Sequence, residues 1–243
     1  MTLLVLLRRE LAAWSATPAA WIFLVIFLLL SGTYTFWTEG LLARGRADLL
    51  PFFAVHPWLH LMLGAALSMR LWAEETRSGT AEFLLTLPVR LREVVLAKFL
   101  GAWLLVALAL LLTFPVWLVV EWLGDPDRGA ILAGYLASWL LAGVFLAIGS
   151  CASALAVSQV AAFITTLALG AAHVVAGLPE FLVLLDEHAP GAVVQGVAAL
   201  SILPHFEGMT TGLLEFRDVA YFLLLTAAWL LTTMIVLDLR RVG

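Results

Sequence analysis

The sequence predicts an all-α integral membrane protein, and three observations carry that prediction. The 243 residues are 63% hydrophobic and only 12% charged, about half the charged fraction of a soluble domain. Apolar runs near or above the roughly 20 residues needed to cross a bilayer core recur along the chain. Lys and Arg fall mainly in alternate connections, as the positive-inside rule requires. A soluble helical domain would need an apolar outer face, so it is excluded. The expected plan is one membrane domain, 1–243, with six transmembrane helices and an N-terminal interfacial helix. A short cytoplasmic helix lies between spans 2 and 3, and two short outer half-helices lie between spans 5 and 6.

The N-terminal element puts Leu3, Leu7, Leu11 and Trp14 on one stripe at helical spacing, with Arg8, Arg9 and Glu10 elsewhere. That pattern suits a helix lying in the inner interface, or the cytoplasmic start of the first span. The start lacks the short apolar region and small-residue cleavage site of a signal peptide. The first span is expected over 19–37, opened by Pro18 in a first helical turn. The others follow at 52–72, 94–122, 130–157, 160–178 and 219–239. Spans four and five are joined by so little chain, near AVSQV, that they form an antiparallel hairpin. Between spans five and six, EFLVLLDEH and GAVVQGVAALSIL are too short to cross and read as half-depth helices entering from outside; such backbone needs protein or a watery cavity around it. With the start inside, nine of the thirteen Lys and Arg residues are cytoplasmic. The six spans then put both ends of the sequence in the cytoplasm. Trp37, Trp58, Trp72 and Trp122 fall near span ends, as interfacial aromatics do.

The stretch RLWAEETRSGTAEFLLTLPVRLREVVLAKF, Arg70–Phe99, breaks the apolar pattern between spans two and three. Gly79 permits a sharp turn and Thr80 is suited to cap the following segment. TAEFLLTL supplies about two helical turns in which Phe83, Leu84 and Leu87 share a face. Glu82 and Thr86 lie opposite, and Pro88 ends the element. An amphipathic helix so held suits docking to another protein; resting on lipid headgroups is the equal alternative.

This region resembles the signature of type-2 ABC-transporter permeases, in particular the branch holding the gliding-motility permease and the permease for nitrous-oxide-reductase maturation. The matching residues are Glu74, Glu75, Arg77, Gly79, Thr80, Glu82, Leu84, Leu85, Pro88 and Lys98. LLRREL near the start and the segment from LPHFEGMTTG to the last span are similar to the family's two ends. Val89 and Arg90 stand where the family usually has Ser or Asp, which leaves the next helix without its usual cap. The resemblance implies a coupling helix that fits a groove on a separate ABC ATPase subunit, which carries ATP and Mg. It also implies pairing with a second permease copy, identical or related, and transport or mechanical work across a bacterial inner membrane. An extracytoplasmic accessory protein is a further partner it allows, beside membrane lipid; no nucleic acid is implied. Docking would fall to Glu82, Phe83, Leu84, Leu85 and Leu87, with Glu74, Glu75 and Arg77 orienting the helix.

The remaining residues discriminate against other chemistries. A P-loop needs a Lys after its glycines, and the sole lysine, Lys98 in LAKFLG, cannot serve, so ATP hydrolysis is expected on another chain. No cofactor is expected in this one. His56 and His60 stand one helical turn apart and could share a metal, the basis of an alternative reading as a membrane enzyme or metal transporter. No third ligand is evident, and packing or hydrogen bonding is the simpler role. A non-transporting scaffold is the other alternative. Glu121 either lines a pathway or meets solvent beside Trp122. Arg70 is suited to snorkel to the inner headgroups. Gly143, Ala147, Ser150 and Ala154 make a small-residue stripe fit for close helix packing, within the subunit or between paired subunits. Cys151 has no partner for a disulfide, and neither it nor Ser150 has a base beside it.

Overall fold

A computed structural model describes residues 2–73 and 90–242. Every regular element among them is helical. Helix α1 is Thr2–Ala16 and α2 is Pro18–Thr33, prolonged by a π-turn over Tyr34–Thr38. Two short helices follow, α3 (Leu41–Arg44) and α4 (Leu50–Ala54), then α5 (His56–Ser68). Beyond the charged loop come α6 (Leu91–Leu112) and α7 (Phe114–Leu123). The chain continues with α8 (Arg128–Leu155) and α9 (Gln159–Val175), then α10 (Pro179–Asp186), α11 (Gly191–Ala199) and α12 (Leu203–Thr210). Helix α13 is Phe216–Val242.

Local chemistry sets these boundaries. Proline opens α2, α4, α5, α7, α10 and α12 within the first two positions, where its missing N–H is no loss. Asp127 caps α8 by accepting from the N–H groups of Gly129 and Ala130 at 2.8 and 3.1 Å. Ser158 caps α9 through Ala161 N–H at 3.2 Å. Gly40 and Gly45, with φ of 60° and 59°, bracket α3, a left-handed backbone glycine adopts freely.

By length and composition, four segments can cross a bilayer: Pro18–Arg44, Leu91–Leu123, Arg128–Leu155 and Phe216–Arg240. Helices α9 and α10, bent by 76° at their junction, make a fifth if taken as one broken span. The segment expected as span two is divided between α4 and α5, and α5 has only 13 residues, about 20 Å of helix. Pro51 and Pro57 interrupt the ladder there, and His56 and His60 lower its apolarity. The expected third span is likewise two helices, broken at Thr113 before Pro115. Three short helices, not two, lie between α9 and α13, the third opened by Pro204.

Helix α8 is the hub. In its apolar window 78% of residues are buried, against 33% for the first segment and 22% for the last. It packs on α5, α6, α9, α12 and α13. Its small residues allow this, because backbones approach closely where side chains are short. A Cβ on Gly149 would collide with Ser68 Oγ, and one on Gly143 would lie 3.0 Å from Trp103 Nε1. The small-residue stripe is therefore used inside the subunit. Trp103 and Trp139 stack at 4.0 Å between α6 and α8, and each indole N–H donates to the other residue's carbonyl, at 2.7 and 3.3 Å. At the other end of the bundle, His205 Nδ1–H donates to Asp218 at 2.6 Å and its ring stacks on Tyr221 at 4.1 Å. Tyr221 OH donates to Leu200 C=O at 2.8 Å. These bonds fasten α11 and α12 to the first turns of α13.

Candidate functional site: the frame of the charged loop

The residues expected to dock a partner, from Glu74 through Arg77, Gly79, Thr80 and Glu82 to Leu87, lie outside the described residues, as does Pro88. What the structure describes is the frame from which they depart. After α5, Trp72 is 2% exposed and Ala73 1%. Their backbone N–H groups both donate to Ser153 Oγ, at 3.1 and 3.0 Å, and Ser153 donates in turn to Met69 C=O at 3.0 Å. The Trp72 indole N–H donates to Ser150 Oγ at 3.0 Å. Two serines one turn apart on α8 thus hold three backbone groups at and beyond the end of α5 and one indole N–H. Trp72, expected as an interfacial anchor, is instead a buried post; Trp37 and Trp122, at 87% and 82% exposed, are the open ones.

The returning side of the loop is held by α1. Glu10 stands 3.8 Å from Lys98 Nζ, and Lys98, 6% exposed, lies 5.4 Å over the Trp72 ring. A buried ammonium needs such company, since an uncompensated charge is costly to desolvate. Glu10, Trp14, Arg70 and Lys98 line a cleft of about 160 Å³. Arg70 is therefore part of this frame. The inward face of α1 carries Leu6, Glu10 and Trp14, while Leu11 is 38% exposed. Of the stripe read from sequence, Leu3, Leu7 and Trp14 are half-buried and Leu11 is exposed, and Glu10 joins the inward face because α1 packs on α6. Helix α6 opens at Arg90 without a side-chain cap bond, as the replacement of Ser or Asp there implies.

Away from the frame, His56 is wholly buried and His60 1% exposed. Phe27 lies within 5.7 Å of both rings, and Phe52 stands 4.5 Å from His56. His56 Nδ1 is hydrogen-bonded to Ser138 Oγ at 2.7 Å, and the Nε2 atoms of both histidines have no hydrogen-bond partner among the described residues. Among the described residues no third His, Cys, Asp or Glu joins them. The geometry is that of an aromatic core, with one hydrogen bond to α8. Glu121 accepts from Trp117 Nε1 at 3.0 Å and from Arg128 at 2.9 and 3.1 Å; it forms an ion pair at the lip of α7 and α8. The paired serines and the Glu10–Lys98 contact are what sequence reasoning missed. Ser150 was legible only as a packing residue, although hydroxyls on a small-residue helix also serve as interhelical glue.

Helices of spanning length around a buried hub, with a charged loop held at one end, define a multi-pass membrane protein. Residues 49–237, more than half of the chain, match the family described as ABC-2 family transporter protein. The chain belongs to that family: it is a permease subunit of an ABC transporter, a membrane component and not the catalytic one. A comparison with curated proteins finds no match.

Proposed function

We propose that this permease transmits ATP-driven closure of a separate ATPase subunit through residues 74–89. Glu82, Phe83, Leu84, Leu85 and Leu87 enter a groove on that subunit, and Glu74, Glu75 and Arg77 orient the helix. Gly79 and Thr80 start it. In this reading the chain has six spans, with α4 and α5 together forming the second. Both ends of the sequence face the cytoplasm of a bacterium, and the chain pairs with a second permease copy in the inner membrane. ATP and Mg belong to the ATPase. The finer likeness to the gliding-motility and nitrous-oxide-reductase-maturation branch rests on the loop motif alone.

The observation that carries the reading is the rigid frame. A loop that must pass force to the bundle cannot leave from frayed ends. Here its departing end is bonded to the hub helix through Ser150 and Ser153, and its returning end to α1 through Lys98. Displacement of the loop is thereby delivered to α8 and α6. The test is co-purification of the chain with its ATP-binding subunit. Phe83→Asp with Leu84→Asp should abolish the complex while the permease stays in the membrane, because each buried apolar anchor contributes about 1.5–3 kcal/mol. Normal binding by the double variant would refute the coupling role.

A further inference from the structure

Arg90, Leu91 and Arg92 at the start of α6, with Met234, Ile235 and Asp238 on α13, enclose an open cleft of about 400 Å³. Both arginines are exposed, and neither forms an ion pair among the described residues. Asp238 is the only carboxylate among the described residues that line the cleft, so those residues together carry a net positive charge. The wall on α13 is apolar, and it runs into a lipid-type face: Leu231, Ile235 and Leu239, spaced one turn apart, are 58%, 60% and 70% exposed. Among the described residues, two neighbouring charges are engaged or turned away. Arg240 donates to Leu155 C=O at 2.8 Å, and Glu93 is half-buried and does not line the cleft.

We propose that this cleft seats the phosphate of an anionic phospholipid, with the glycerol and upper acyl chain lying along Met234 and Ile235. Two guanidinium groups match a phosphate, which each can engage with paired N–H donors. An apolar wall continuous with a membrane-facing stripe matches an acyl chain and does not match a soluble anion. A soluble protein partner would leave that stripe unexplained. The inference rests on the reading above in one respect, that this end of the bundle faces the inner leaflet.

The test uses the purified full chain in mixed micelles containing equal phosphatidylglycerol and phosphatidylcholine, with bound lipid counted by native mass spectrometry. The wild type should retain phosphatidylglycerol selectively. Arg90→Gln with Arg92→Gln should lower that preference about thirtyfold, from about 1 kcal/mol per basic residue at an anionic surface. Asp238→Asn should raise it, which keeps the proposal testable if the double variant folds poorly. Unchanged retention in all variants would overturn it. So would displacement of the lipid by soluble glycerol phosphate, or loss of the ATPase subunit from the arginine variant with lipid retention intact. Micelles have no sides, so the lipid result stands apart from sidedness. Labelling of an Asp238→Cys, Cys151→Ala variant in sealed cells reads sidedness by itself.

Discussion

Replacing Ser153 by alanine should detach the end of α5 from the hub helix. The hydroxyl accepts from two buried backbone N–H groups and donates to one carbonyl, all within 3.1 Å. Interhelical hydrogen bonds in membranes average about 0.6 kcal/mol, so three give about 2 kcal/mol as a lower figure. Trp72 and Ala73 are too enclosed for water to replace the lost acceptor. Each of the two stranded buried donors then costs about 1–3 kcal/mol, which raises the expectation to about 2–6 kcal/mol. Ser150→Ala removes one acceptor only, that of the Trp72 indole, and should cost about 1–2 kcal/mol. Ser153→Thr keeps the hydroxyl and should recover part of the loss. The assay is reversible unfolding in mixed micelles followed by tryptophan fluorescence, paired with ATP hydrolysis by the assembled transporter. The reasoning is refuted if Ser153→Ala lies within about 0.5 kcal/mol of wild type, the spread expected of an uninvolved site, or if Ser150→Ala is the more damaging change.

Further outcomes follow from the same geometry. Gly149→Ala should force α5 and α8 apart at Ser68 and cost about 1–3 kcal/mol as overpacking does; pairing it with Ser68→Gly should recover more of that than pairing it with Ser68→Ala in the same unfolding assay, because the Cβ of residue 68 would itself collide with the new Cβ. His60→Leu should leave stability unchanged or raise it, because it removes an unpartnered buried nitrogen from an aromatic pocket; loss of transport in a stable His60→Leu protein would instead mark the histidine as functional. Glu121→Gln should leave both the unfolding midpoint and transport unchanged, since its arginine partner is at the exposed lip. A defect in transport rates would return Glu121 to a pathway. Lys98→Met should reduce ATPase stimulation more than it reduces stability, as it releases α1 from the returning end of the loop while keeping the apolar stem.

Composition and local pattern by themselves determined that the chain is helical and membrane-bound, and much of where its helices begin. Pro18, Asp127 and Ser158 act within one or two residues of their own position, through a ring that lacks an N–H or a side chain that accepts one, so their effect is readable without neighbours. The charged loop after Trp72 was legible for the same reason, as a local break in apolarity. Tertiary structure alone decided which partner each polar group has. Ser153 and Trp72 are 81 residues apart in the chain, and Ser138 and His56 are 82 apart. Nothing in either local pattern distinguishes a hydroxyl that clamps a loop from one that fills a helix face. Long-range packing also turned Glu10 of α1 toward Lys98 and took Trp72 from the interface into the core. In each case the choice was made by burial against a helix remote in sequence.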